Sequence, residues 1–146
     1  MSYTRLIQIE FNHCDPAGIV FYPRYFEMTN SVIENFFADV AGRSFAQMHR
    51  GVPNGVPNGV PNGVPTARIE ADFIAPSRLG DKVLFSLHIT KIGRSSIALT
   101  ITGRLGAETR MHAHLTLVWV DGGSSAPWPD DMRARLTTYM ESQDAP

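Results

Sequence analysis

The chain has 146 residues, 43% of them hydrophobic and 18% charged, with 13 basic against 14 acidic side chains. This is the make-up of one ordinary globular domain large enough for a real core, and its near-neutral balance offers no basic field for nucleic acid or a membrane surface. The lone cysteine, Cys14, excludes an intrachain disulfide and fits a reducing cytoplasm; Met1–Arg5 lacks a signal-peptide pattern, and no apolar run reaches the roughly 20 residues of a membrane span.

Tyr3 to Phe11 alternates, with Ile7, Ile9 and Phe11 on one side, and predicts a half-buried strand. The segment His13-Cys14-Asp15-Pro16-Ala17-Gly18-Ile19-Val20-Phe21-Tyr22-Pro23 then sets one carboxylate in a tight turn ahead of a helix. Pro23 suits the first helical position, and Phe26, Ile33, Phe36, Phe37 and Val40 recur at helical spacing up to about Ala41, where Gly42 is a natural stop. A carboxylate in such a turn faces the positive end of the helix, where unpaired backbone N–H groups can hold a developing oxyanion.

Beyond His49 the sequence reads Gly51-Val52-Pro53 followed by three copies of Asn-Gly-Val-Pro, ending at Pro65. Proline and glycine in every copy favour turns over a helix or central strand, so 51–65 is expected to be a flexible loop lengthened by duplication. One Gly-Val-Pro would connect its neighbours, and 54–65 reads as an insertion whose length tunes access to the adjoining site. Four strands follow: Thr66 to Ala75, Lys82 to Ile92, Ser96 to Leu105 and Thr109 to Val120, the last three joined by short glycine turns as an antiparallel meander. Pro129 to about Met140 closes the chain as a short helix opening on Asp130 and Asp131, well placed for the helix dipole. Trp119 and Trp128 read as packing residues.

A single long apolar helix and five antiparallel strands predict an α+β domain in which the sheet wraps around the helix. Within it, Cys14-Asp15-Pro16-Ala17-Gly18-Ile19-Val20-Phe21-Tyr22-Pro23, followed by Tyr25, resembles the active-site signature of the 4-hydroxybenzoyl-CoA thioesterase family. The order of elements matches that family from Tyr3 to about Val120. The resemblance implies a hotdog fold, hydrolysis of an acyl-CoA, and Asp15 as nucleophile or general base. It also implies an oxyanion held by the backbone N–H of Tyr22 and by a glycine N–H from the loop before the second strand. Gly63 lies nearest that strand, although Gly51, Gly55 and Gly59 share its local sequence. Related short-acyl enzymes carry histidine where Tyr22 stands, so Tyr22 points to an aromatic acyl group. Tyr25 is a candidate for the acyl pocket, and Arg94 and Ser95 are candidates for contacts to coenzyme A, arginine forks being suited to phosphates.

Thioester hydrolysis by this route requires no metal and no redox cofactor. His13, Cys14 and Asp15 are consecutive and splay apart with no spaced partner pair to complete a set, and His112 and His114 share a strand face as partly exposed strand histidines commonly do, so no metal site is expected. The other readings are a short- or medium-chain aliphatic acyl-CoA thioesterase and a non-catalytic acyl-CoA-binding module. A hydratase would want a His/Asp or His/Glu pair on a hydratase-type motif, and no such motif follows the first strand. The open edge of a curled sheet, together with the resemblance, implies a cytoplasmic homo-oligomer, a dimer or a dimer of dimers (a homotetramer), with each site between subunits.

Overall fold

The computed structural model describes residues 1–50 and 61–146. Side-chain alternation shapes its main sheet. Strands β1 (Tyr3–Gln8), β3 (Thr66–Phe73), β4 (Lys82–Ile92), β5 (Ser96–Leu105) and β6 (Glu108–Val118) form one antiparallel sheet in the order β1-β4-β5-β6-β3. Val83, Phe85, Leu87 and Ile89 on β4, Ile97, Leu99 and Ile101 on β5, and Met111, Ala113, Leu115 and Leu117 on β6 are all buried. The intervening residues face outward and are mostly polar, as the period of two requires.

The inward rows close on helix α1 (Pro23–Phe36), whose buried positions Tyr25, Met28, Thr29, Val32, Ile33 and Phe36 follow i, i+3, i+4, i+7, i+8, i+11. The sheet curled about this helix is the hotdog arrangement. The expected stripe is displaced slightly: Phe26 is 36% exposed and Val40 only partly buried, while Tyr25 and Met28 point inward. The sequence predicts a helix to about Ala41; α-geometry stops at Phe36, and a π-type turn over Phe37–Ala41 completes it before Gly42 ends it at φ 85°. A short helix, α2 (Phe45–Arg50), follows. Phe11 departs from the sequence expectation: β1 ends at Gln8, a 3-10 turn spans Phe11–His13, and Phe11 is 84% exposed.

Part of the repeat is ordered rather than loop-like. Asn62–Gly63 form β2, which pairs with β7 (Val120–Asp121), itself paired with β8 (Ser124–Ser125). The Asn62 amide donates to Asp121 Oδ1 at 2.9 Å, and Asn62 and Val64 are both buried. The last copy is therefore an anchor, a role the turn chemistry of Asn-Gly did not suggest. The rest of the proposed loop, 51–60, lies outside the described residues. Among the described residues no helix is long and apolar enough to cross a membrane.

Helix α3 (Asp130–Ser142) buries Met132, Leu136 and Tyr139 and covers the β1 side of the sheet, where Tyr139 meets Phe36 with ring centroids 4.9 Å apart. Strand β1 begins at Tyr3, opposite Leu87, so it does not reach Ile89 of β4. The Gln143 side chain replaces it. Its Nε2 donates to Ile89 O and its Oε1 accepts from Ile89 N, both at 2.8 Å. Replacing Gln143 by alanine strands two buried backbone groups and should lower stability by about 2 kcal/mol, read as a lower urea midpoint at unchanged slope. Deleting two whole Asn-Gly-Val-Pro units should leave thermal stability nearly unchanged, because loop closure shifts by only about 1 kcal/mol. Deleting all of 54–65, which the sequence alone would permit, brings Arg50 to the place of Asn62 and should cost measurably more.

Candidate active site

The segment around Asp15 folds as a tight hairpin. Cys14 bridges Val20, Asp15 N–H donates to Ile19 O at 2.9 Å, and Gly18 N–H donates to Asp15 O at 2.9 Å. Gly18 sits at φ 82°, a conformation that strongly favours glycine, and Pro16 presets the residue after Asp15. The Asp15 side chain is half-buried, and one oxygen, Oδ1, accepts Ala17 N–H at 2.9 Å. Asp15 thus does cap its own turn, and among the described residues its second oxygen takes no hydrogen bond. His13 and Cys14 are absorbed locally: His13 Nδ1 accepts the Glu10 N–H at 2.8 Å, and Cys14 Sγ lies 3.6 Å from Glu10 O.

The hairpin runs directly into α1. Tyr22 is the N-cap, Pro23 occupies the first turn, and no side chain caps the helix. Arg24 N–H and Tyr25 N–H are taken by Phe21 O and Tyr22 O, whereas among the described residues Tyr22 N–H donates to no other backbone group. A donor at the positive helix end is therefore open on the strand that returns from Asp15.

An aromatic cluster flanks this start. Phe73, the last residue of β3, lies 5.7 Å from Tyr22, 5.6 Å from Tyr25 in a stacked arrangement and 6.1 Å from Phe26, centroid to centroid. Phe21, Tyr22, Phe26 and Phe73 are each between 36% and 56% exposed, an unusual share of aromatic surface in one place. Tyr25 forms the buried floor: its hydroxyl donates to Ser77 Oγ at 2.9 Å, and burial raises its pKa above the ordinary tyrosine value.

Below the cluster, the segment Pro76–Asp81 holds the hairpin. Val20 N–H donates to Ser77 O at 2.9 Å, and Ile19 bridges Arg78. Arg110, near the start of β6, pins the segment, with Nη1 at 2.9 Å from Pro76 O, 3.3 Å from Ser77 Oγ and 2.9 Å from Asp81 Oδ2. Glu108 takes the other side of the guanidinium at 2.6 Å. The Arg78 N–H and then Arg110 hold Asp81 below the usual carboxylate range.

The remaining predicted site residues lie elsewhere. Gly63 pairs with Val120, and Arg94 and Ser95 form the β4–β5 turn, where Ser95 O accepts Trp119 N–H at 2.7 Å and Arg94 O accepts Trp128 N–H at 3.1 Å. The Arg94 side chain is exposed and Ser95 half-buried. This end of the sheet is separated from Asp81 and Arg110 by the length of β4, about 33 Å at strand rise. A cavity of about 300 Å³ opens here, with Asn30, Met48, Asn62 and Thr66 in its wall. Within one chain, then, Asp15 lies on the hairpin that leads into the helix start bearing Tyr22 and Tyr25, and Gly63, Arg94 and Ser95 gather at the opposite end. Sequence reasoning missed Phe73, Ser77, Asp81 and Arg110. Phe73 was visible as the last inward position of its strand, but no spacing signal links Ser77 to Arg110.

The sequence matches the thioesterase superfamily over residues 17–111. The chain belongs to that superfamily. It is a thioester hydrolase. The match begins two residues after Asp15, so family membership does not itself assign that residue. Among curated protein sequences none matches this thioesterase. Similar solved structures include a thioesterase from Thermus thermophilus complexed with coenzyme A and Zn, 22% identical over 94% of this chain and 93% of its own, TM-score 0.78. A 1,4-dihydroxy-2-naphthoyl-CoA thioesterase from Synechocystis is 20% identical over the whole of both chains, TM-score 0.77. A gentisyl-coenzyme A thioesterase is 21% identical over 91% of this chain and 98% of its own, TM-score 0.79. These likenesses establish the shared fold.

Because the folded state lowers the pKa of Asp81, its contribution is present above the unfolded value of 3.8 and is lost as pH falls through the lowered one. The stability of the wild-type thioesterase should decline below about pH 4 more steeply than that of Asp81→Asn, compared by urea midpoints down to about pH 2.

Proposed function

We propose that this thioesterase hydrolyses an aromatic acyl-CoA of the 4-hydroxybenzoyl kind to the free acid and coenzyme A. The observation that carries the reading is the exposed aromatic cluster around Phe73, set against the hairpin that bears Asp15. An aroyl group stacks in such a setting where an alkyl chain gains only area. The gentisyl-CoA and dihydroxynaphthoyl-CoA activities of the similar structures, and the coenzyme A bound in another, support the same class of substrate.

Asp15 attacks the thioester carbonyl through its free oxygen, forming a mixed anhydride and releasing the CoA thiolate, which takes up a proton; water then hydrolyses the anhydride. General-base activation of water by the same carboxylate is the alternative route. The Tyr22 N–H at the start of α1 stabilises the oxyanion.

The second half of the site comes from another copy of the chain. Strand β3 is an open edge, and Ile69 and Phe73 on its inner side are 37% and 43% exposed. Antiparallel pairing of two β3 edges across a two-fold axis sets the Phe73 end of one chain against the Thr66 end of the other. Gly63 then approaches Asp15 across the interface as a second oxyanion donor, and Arg94 and Ser95 approach as contacts for the CoA phosphates. Back-to-back packing of two such dimers would give a tetramer, in the reducing cytoplasm that the lone cysteine suits.

A panel of aromatic and aliphatic CoA thioesters tests the substrate class: kcat/KM should favour aroyl-CoA by at least tenfold, and a preference for straight-chain acyl groups overturns the aroyl assignment. Asp15→Asn should lower kcat by about 1,000-fold or more with binding retained; near-normal turnover in that variant removes Asp15 from the chemistry.

A further inference from the structure

We propose that Arg110 and Ser77 are positioning residues for the reaction: they clamp the Pro76–Asp81 segment so that it holds the Asp15 hairpin at the angle required for attack. This rests on the catalytic reading of Asp15. The hairpin is short, and Pro16, Ala17 and Gly18 at its tip are exposed. Val20 packs into the core and Cys14 against it, and beyond the turn that leads into the hairpin its described hydrogen-bonded ties are the Val20 N–H bond to Ser77 O and the Ile19–Arg78 bridge. Both outside ties end on the same segment.

That segment is fixed from three directions. Gly80 N–H donates to Ile9 O at 2.8 Å, and Ile9 N–H donates to Asp81 O at 2.7 Å, joining it to the strand that leads into the hairpin. Tyr25 reaches it from α1 through Ser77 Oγ. Arg110 reaches it from β6 and touches three of its residues at once. Ser77 is fully buried and the Arg110 side chain is 11% exposed, so neither presents a surface for substrate. A buried arginine spending its donors on a loop carbonyl, a loop hydroxyl and a loop carboxylate is costly unless those bonds are met together. The same network that fixes Ser77 O for Val20 also fixes Tyr25, which stacks on Phe73. Carboxylate and aromatic cluster are thus set by one set of bonds. A misplacement of about 1 Å at an attacking group can cost about 100-fold in rate.

The test is kinetic, on an aroyl-CoA thioester, with Arg110→Met, Arg110→Lys and Ser77→Ala in the wild-type and Asp15→Asn backgrounds. Arg110→Met should lower kcat by about 100-fold while KM stays within about threefold. Arg110→Lys, which keeps the charge and one contact, should recover part of that loss. Ser77→Ala, a small change that folds readily, should lower kcat by about fivefold. In the Asp15→Asn background the same substitutions should change the residual rate by less than about twofold, because the group they aim is gone. Folded Arg110→Met or Ser77→Ala with normal kcat overturns the proposal, as does an equal loss in both backgrounds. If Arg110→Met does not fold, Ser77→Ala and Arg110→Lys decide alone. Normal turnover in Asp15→Asn itself marks failure of the catalytic reading instead.

Discussion

One helix has to cover the concave face of five strands, and it is too narrow to do so. Five strands span about 20 Å across the sheet, while a helix with its side chains is about 10 Å wide. Every large feature of the molecule answers that shortfall. On the β1 side the gap is filled from within the chain, by α3 with Tyr139 and Leu136, and at the β4–β5 turn Trp128 stacks on Phe37. On the β3 side nothing in the described chain fills it, and Ile69, Phe73, Phe26 and Tyr22 stay open. The uncovered half of the helix groove is where the Asp15 hairpin sits.

On the proposed reading, this asymmetry puts chemistry and assembly in one location. Apolar surface left bare along an open strand edge is an invitation to a second chain, and it is also the environment in which a backbone N–H and a carboxylate act with least competition from water. The hairpin meets the core only at its root, through Val20 and Cys14, and its tip is exposed. Beneath it lies a partly buried set of polar bonds joining Ser77, Arg110, Asp81 and Tyr25. A polar network under an exposed turn is a rigid footing for a group that must be both accessible and still.

Much of the fold was legible because it rests on period. The inward rows from Val83 to Ile89 and from Met111 to Leu117 alternate without a break, and Pro23 and Gly42 bracket the helix as their backbone chemistry dictates. Periodicity misled where local geometry took over. Phe11 continues the alternation of β1 in sequence, but the chain turns at Gln8 to enter the hairpin, and the phenyl ring is left outside. Phe26 fits a helical stripe on paper, yet it falls on the side of α1 that faces the uncovered groove. The hairpin was readable from Asp15-Pro16-Ala17-Gly18 because turn chemistry is local. Its footing was not, because Ser77 and Arg110 meet only through the sheet, and a lone serine and a lone arginine carry no signal of their meeting.

The anchoring of Asn62 in β2 gives the repeat a property that ordinary loops lack. Every unit ahead of it carries the same four letters, so gaining or losing one whole unit during copying of the gene still delivers an Asn-Gly-Val-Pro to the position opposite Asp121. The fold is blind to which copy it uses. Repeat number is thereby released from selection on the sheet, and the repeat becomes a part of the protein whose length can drift in steps of four while its attachment point stays chemically constant.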